Sequence, residues 1–144
     1  IEDVNVRLNI THTYDSDLAI WLVNPSGTIT VQLVNHADGS GDNFTDTVFD
    51  DGGGTAIGLG SAPFTGTYRP VESLAQFTGT DAQGTWTLRV SDTAVGDAGT
   101  LNSWSLDFVG DVTTPEPSTF GVLASGLALL AVLRRSGSPS RTRR

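Results

Sequence analysis

Two histidines, His12 and His36, stand against sixteen acidic residues in this 144-residue chain, which has no cysteine. Nucleophilic hydrolysis of the triad kind needs a hydroxyl held against a base that a carboxylate orients. His12 lies just before the turn containing Asp15 and Asp17, and His36 opens an acidic loop. Neither has a Gly-x-Ser-x-Gly or Gly-Thr-Ser nucleophile beside it. His12 therefore reads as a polar side chain that anchors its turn through Asp15 or Asp17, and His36 as a solvated loop residue. The lack of cysteine excludes a disulfide framework, a zinc–thiolate site and a thiol nucleophile. The carboxylate pair Asp50-Asp51 would suit a glycosidase only if both groups faced one sugar, and adjacent strand residues point to opposite faces. No catalytic residue is expected within this chain.

The sharper chemistry is that of a hard cation. Asp38, Asp42, Asn43, Asp46, Asp50 and Asp51 crowd oxygen donors into a short glycine-rich stretch. Calcium takes about six to eight such oxygens, so Asp42, Asp46, Asp50 and Asp51 are candidate ligands for a structural calcium. Their spacing is not that of an EF-hand. The alternative is a solubilising loop whose Asp and Asn were selected for turns. Residues 1–112 carry fifteen acidic residues and three arginines (Arg7, Arg69, Arg89). Phosphate backbones would repel such a body, which argues against nucleic-acid binding.

The elements that must position these groups are strands. Val4, Val6, Leu8 and Ile10 alternate with polar residues, as do Ile29, Val31 and Leu33. Leu18–Val23 is a denser apolar run, short enough for a strand buried on both faces. Asn24-Pro25-Ser26-Gly27 between them fits a type I turn, giving a hairpin. Residues 35–66 are loop-rich, with only Val48, Phe49 and Phe64 offering core anchors. One helical turn is expected over 71–77, with Leu74 and Phe77 inward. Trp86, Leu88 and Val90 alternate, then Trp104, Leu106 and Phe108, as two closing strands expected to pair and to bury both tryptophans. No amphipathic helix of about ten residues precedes residue 118. The expected fold is all-β, a jelly-roll sandwich or barrel of about eight strands.

Three stretches carry a resemblance. His12-Thr-Tyr-Asp-Ser-Asp17-Leu18 leads through an apolar strand to Pro25-Ser-Gly27-Thr28. Pro63–Pro70 and Leu74–Gly79 follow. Gly84-Thr-Trp86-Thr-Leu88-Arg-Val90-Ser-Asp92 and Gly99-Thr-Leu101-Asn-Ser-Trp104-Ser-Leu106 close the series. In this order they resemble the P domain (P/Homo B domain) of subtilisin-like proprotein convertases, over about residues 3–109. The resemblance implies an eight-stranded jelly roll that is not itself the catalyst. It implies a module that packs on a subtilisin-like catalytic domain, stabilises it, and tunes its pH and calcium dependence. If the two hairpins lie side by side, as that fold allows, Asp15, Asp17 and Asp92 form a second calcium candidate.

The tail has a different chemistry. Thr119–Leu133 is uncharged, and Arg134 and Arg135 follow it. At ~1.5 Å per residue such a helix spans roughly 22 Å, short of a ~30 Å hydrocarbon core. Including Pro117-Ser118 and letting the arginines snorkel closes much of that gap. A core helix would need a polar face, which this run lacks. The arginines at its end place the acidic domain outside and the tail in the cytoplasm. Pro115-Glu116-Pro117, the apolar run and the basic end resemble the PEP-CTERM sorting signal, which implies recognition by an exosortase, a membrane cysteine protease.

The expected organisation is a P-domain body over 1–112, a Pro-Glu-Pro motif over 113–118, a transmembrane helix over 119–133 and a basic tail over 134–144. Without an initiator Met, and opening inside a strand pattern, the chain reads as the C-terminal part of an exported bacterial protein. That protein is expected to pass from a membrane-anchored precursor to the cell surface or the medium. Two functions fit. One is the stabilising partner of a subtilisin-like serine endopeptidase encoded upstream. The other is an extracellular matrix or surface module that binds glycan or protein.

Overall fold

The computed structural model describes residues 1–37 and 39–110. The first strand, β1 (Asp3–His12), reads DVNVRLNITH, and its alternate residues Val4, Val6, Leu8, Ile10 and His12 are all buried. Period-two alternation is what one face against a core produces. β1 is flanked on both sides in the larger sheet. β4 (Phe44–Phe49) pairs with one edge and β8 (Gly99–Val109) with the other, both antiparallel. β6 (Phe64–Arg69) and β5 (Thr55–Ala56) extend that sheet beyond β4 through parallel pairing, giving the order β5-β6-β4-β1-β8.

The smaller sheet is built on β2 (Leu18–Val23). It pairs antiparallel with β3 (Thr30–Asn35) and β7 (Thr87–Asp92), in the order β3-β2-β7. The β2–β3 turn closes as expected, with the Gly27 amide donating to the Asn24 carbonyl at 2.9 Å and Gly27 at φ 71°. Asn24 Oδ1 also accepts from the Ile29 amide at 3.0 Å, which fixes the entry to β3. β2 is fully buried on one face through Leu18, Ile20 and Leu22. On the other face Ala19 is buried, whereas Trp21 is half-buried under the Arg89 guanidinium, 4.6 Å from the ring centre.

The two sheets enclose one apolar core. Phe44 stacks on Phe64 at 4.8 Å between ring centres, and Phe49, Ile57, Leu74 and Phe77 are fully buried. Burying a side chain of this size is worth about 1.5–3 kcal/mol. The expected turn over 71–77 is present as a single 3-10 turn, Leu74–Phe77, with Leu74 and Phe77 inward. Asp51 holds its start: one carboxylate oxygen accepts from the Leu74 amide, the other from the Ala75 amide and the Ser73 hydroxyl.

Three expectations are corrected here. The two closing strands do not pair with each other. β7 joins β2 in one sheet and β8 joins β1 in the other, so they face each other across the sandwich. Trp86 lies just before β7 and Trp104 on β8, and both are half-buried rather than largely buried. Residues 35–66 also hold more core than expected, since Ala37, Phe44 and Ile57 are buried and Val48 is only half-buried. The reason at Phe44 is a register shift against β1. Phe49 and Thr47 lie opposite Val6 and Leu8, but Phe44, not Thr45, lies opposite Ile10. Asp46 takes up the extra residue at φ 48°, tied to Asn9 by hydrogen bonds of 2.8 and 3.3 Å.

The described residues all fall within one compact unit. The Pro115-Glu116-Pro117 motif, the 119–133 helix and Arg134 and Arg135 lie outside the described residues.

Candidate functional site

Polar side chains gather where β1 ends, beside the start of β8 and the end of β7. His12 is the last residue of β1 and is only 2% exposed. Its Nδ1 accepts from the Tyr14 amide at 3.1 Å. That acceptor role leaves the ring hydrogen on Nε2, which donates to Asp92 Oδ2 at 3.3 Å. The anchoring carboxylate is therefore Asp92, brought by β7, and not Asp15 or Asp17 as expected. Gly99 is what lets the imidazole lie there. A Cβ at that position would sit 2.4 Å from the His12 ring and 2.6 Å from the Thr11 carbonyl oxygen.

Asp15 is joined to the same strand end by way of Asn43. The His12 amide donates to Asn43 Oδ1 at 3.1 Å, and the Asn43 amide donates to Asp15 Oδ1 at 3.0 Å. Asn43 sits at φ 75°, a left-handed conformation that Asn tolerates better than most residues. Asp15 itself is 1% exposed, and its Oδ2 has no hydrogen-bond partner. Burial pushes this carboxyl up from its ordinary 3.8 to about 6. The Asn43 amide and His12 oppose the rise, and Asp42 adds to it. Asp17 serves through its carbonyl, which accepts from the amide and hydroxyl of Thr93 at 3.0 and 2.9 Å. His36 is exposed, as expected, and donates from Nδ1 to the Ser16 carbonyl at 2.8 Å.

The calcium candidates are thus scattered over the domain. Asp92 contacts the His12 ring, whereas Asp15 is linked to the His12 amide through Asn43. Asp46 occupies the β4 irregularity, Asp42 is exposed, and Asp50 Oδ1 accepts from the Gly52 amide at 2.6 Å within its own turn. Asp51 spends both oxygens on the 3-10 turn. Among the described residues, no group of three or more His, Asp or Glu side chains is arranged to hold a metal ion.

A pocket of about 400 Å³ opens beside His12, between the edges of the two sheets. Ile10, Leu18, Val90 and Leu101 line it with apolar surface, and Asp92 and Asp97 supply carboxylates. Asp97 Oδ1 accepts from the Thr13 hydroxyl at 2.8 Å. Alternation along the strand does not reveal Leu101 as a pocket residue, and Asp97 lies in the loop before β8, where no pattern marks it. β8 carries an extra residue at Asn102, since Asn9 lies opposite Ser103 and Ile10 opposite Leu101. Simple alternation from Trp104 would have turned Asn102 inward.

The arrangement has a His–Asp contact at which His12 joins strands. Both imidazole nitrogens are occupied, one by a backbone amide and the other by Asp92, and no serine or threonine hydroxyl is hydrogen-bonded to the ring among the described residues.

The chain is 35% identical over 103 residues to leupeptin-inactivating enzyme 1 of Streptomyces exfoliatus, covering 72% of this chain and 18% of that protein. It is 34% identical over 105 residues to the transglutaminase-activating metalloprotease of Streptomyces mobaraensis, covering 73% of this chain and 10% of that protein. The chain thus spans less than a fifth of the length of either relative. No solved structure matched. The family model of the proprotein convertase P-domain matches residues 1–108, which takes in every strand except the last residue of β8. On that match, together with the paired sheets that carry its motifs, the chain belongs to the proprotein convertase P-domain family.

Proposed function

We propose that residues 1–110 are a non-catalytic accessory domain of an exported peptidase, folded as the family's jelly roll, which stabilises the catalytic domain in the same polypeptide. The observation that supports this most is the His12 site. It places a buried imidazole and a carboxylate together yet uses both ring nitrogens to tie β1 to β7 and to the Tyr14 turn. That is a structural joint, and the names of both relatives are those of enzymes, one of them a protease. A subtilisin-like catalytic domain is the partner implied by the sequence resemblance. A metalloprotease, as the second relative is named, is the other form this partner takes.

The tail is read as a sorting signal. Pro115-Glu116-Pro117 is the motif recognised by an exosortase, Thr119–Leu133 the membrane span, and Arg134 and Arg135 the charges that keep the C-terminus inside.

The accessory role is tested by deleting this domain from the parent peptidase. Thermal inactivation should become at least several-fold faster, while active-site titration of the freshly folded enzyme still shows a competent centre. An inactivation rate unchanged by the deletion would remove the stabilising role. The sorting role is tested by replacing Pro115-Glu116-Pro117 with three alanines in an exosortase-bearing host. Loss of the trimmed product with membrane insertion intact supports it, and trimming to the same size contradicts it.

A further inference from the structure

We propose that the cleft between the free edges of β7 and β8 binds an extended segment of a separate polypeptide. In it, one lysine or arginine side chain enters the Asp92–Asp97 pocket and apolar side chains at alternate positions cover the inward row of β7 and β8. The proposal goes beyond the stabilising role and stands on three observations.

The first is the open side of the sandwich. β7 is an edge of the smaller sheet and β8 an edge of the larger one; among the described residues neither edge is paired, and residues of both line one pocket. Such edges are templates for an added strand. The second is what lies between them. Leu88 and Val90 are opposite the buried Leu22 and Ile20, and Trp104 and Leu106 are opposite the buried Leu8 and Val6, so all four face inward. All are only half-buried, and Phe108, opposite Val4, is 39% exposed. The domain covers this row only in part, with Trp86 packed on Phe108 at 5.4 Å between ring centres at one end.

The third observation is charge complementarity at one end of the cleft. The pocket has apolar walls from Ile10, Leu18 and Val90 and two carboxylates, Asp92 and Asp97. No arginine among the described residues pairs with either; the one ion-pair contact is that of Asp92 with His12. A lysine or arginine has the matching anatomy, a methylene stem for the walls and a cationic head for the carboxylates. A small apolar ligand would bring no positive charge to either carboxylate, whose hydrogen bonds are to His12 and the Thr13 hydroxyl. A second copy of this chain is disfavoured, because fifteen acidic residues against three arginines over residues 1–112 make two such bodies repel.

The test uses the full chain and two blocked heptapeptides, Arg-Thr-Val-Thr-Val-Thr-Val and the same peptide with Glu at the first position. Binding is followed by the indole NMR signals of Trp86 and Trp104. The proposal expects the arginine peptide to shift both signals and to bind at least about tenfold tighter than the glutamate peptide. Its affinity should fall as salt rises from about 0.05 to about 0.5 M. Asp97→Asn should weaken it several-fold and Asp97→Lys should abolish the preference for arginine. Asp97 has one hydrogen bond, to the Thr13 hydroxyl, so both variants should keep the fold. Equal binding of the two peptides would overturn the proposal, as would no binding of either. A concentration-dependent dimer that alone perturbs Trp86 and Trp104 would also overturn it, by making a second copy the occupant.

Discussion

β1 and β8 lie side by side in one sheet and carry the same apolar alternation, yet they live in different environments. Val4, Val6, Leu8 and Ile10 on β1 are at most 3% exposed, whereas Trp104 and Leu106 on β8 are half-buried and Phe108 is 39% exposed. The smaller sheet repeats the contrast, with Leu22 and Ile20 on β2 fully buried and Leu88 and Val90 on β7 only half so. The difference is position within the sheet. A central strand has neighbours on both sides, and an edge strand has one. The lesson is that alternation reports which face a residue is on, while neighbours decide how much that face is worth.

Substitutions at the two kinds of position should therefore separate widely. Phe49→Ala removes a fully buried ring from the closed side and should cost about 3–5 kcal/mol by chemical denaturation. A cost below about 1 kcal/mol would show that the core collapses around the site, and the contrast would lose its strong pole.

The second effect is one of pH, at the buried Asp15. Its carboxyl titrates near 6 in the folded protein against an ordinary 3.8, so the folded state holds this proton over a range where the unfolded chain has released it. Stability from this group is therefore lost as pH rises from about 4 to about 6. Asp15→Asn removes the titration, so the stability of the variant relative to the parent chain should rise by about 1–3 kcal/mol between pH 4 and 7. Unfolding curves that stay parallel across that range would place Asp15 in contact with solvent.

Gly99→Ala tests the joint between the closed and open regions. The new methyl meets the His12 ring and the Thr11 backbone, and overpacking of this kind costs about 1–3 kcal/mol. The His12 ring resonances should shift as its contact with Asp92 is displaced. A neutral Gly99→Ala with unshifted His12 signals would remove the close approach. Smallest of all, Phe108→Ala on the open edge should cost under about 1 kcal/mol despite deleting the same ring as Phe49→Ala. A cost equal to that of Phe49 would mean the edge is covered in solution.

Much of this architecture was legible in the residues. The alternation in β1, β3, β7 and β8, the Asn24–Gly27 turn and the Leu74/Phe77 turn are local patterns, and each element formed where its pattern lay. Two kinds of information were not local. Pairing between β1 and β8, or between His12 and Asp92, joins residues some 80 or more apart in sequence, and a repeating pattern carries no record of its partner. The closing motif looked like one hairpin because its two halves are adjacent in the chain, but each half found its match in a different early strand. Irregularities were the other gap. The extra residues at Asp46 and Asn102 reversed the inward phase, which hid Phe44 from the core and Leu101 from the pocket. The acidic loop illustrates a third point: composition alone did not show that Asp50 and Asp51 accept hydrogen bonds from nearby backbone amides.

Amide hydrogen exchange on the full chain, followed residue by residue, tests the contrast between closed centre and open edge most directly. Every second amide of an edge strand points away from its only neighbour. The account predicts that the slowest amides lie in β1 and β2 and exchange only through global opening. The outward amides of β7 and β8 should exchange orders of magnitude faster, in an alternating pattern along each strand. Uniform slow exchange along β7 and β8, matching β1 and β2, would contradict it by showing that no free edge exists.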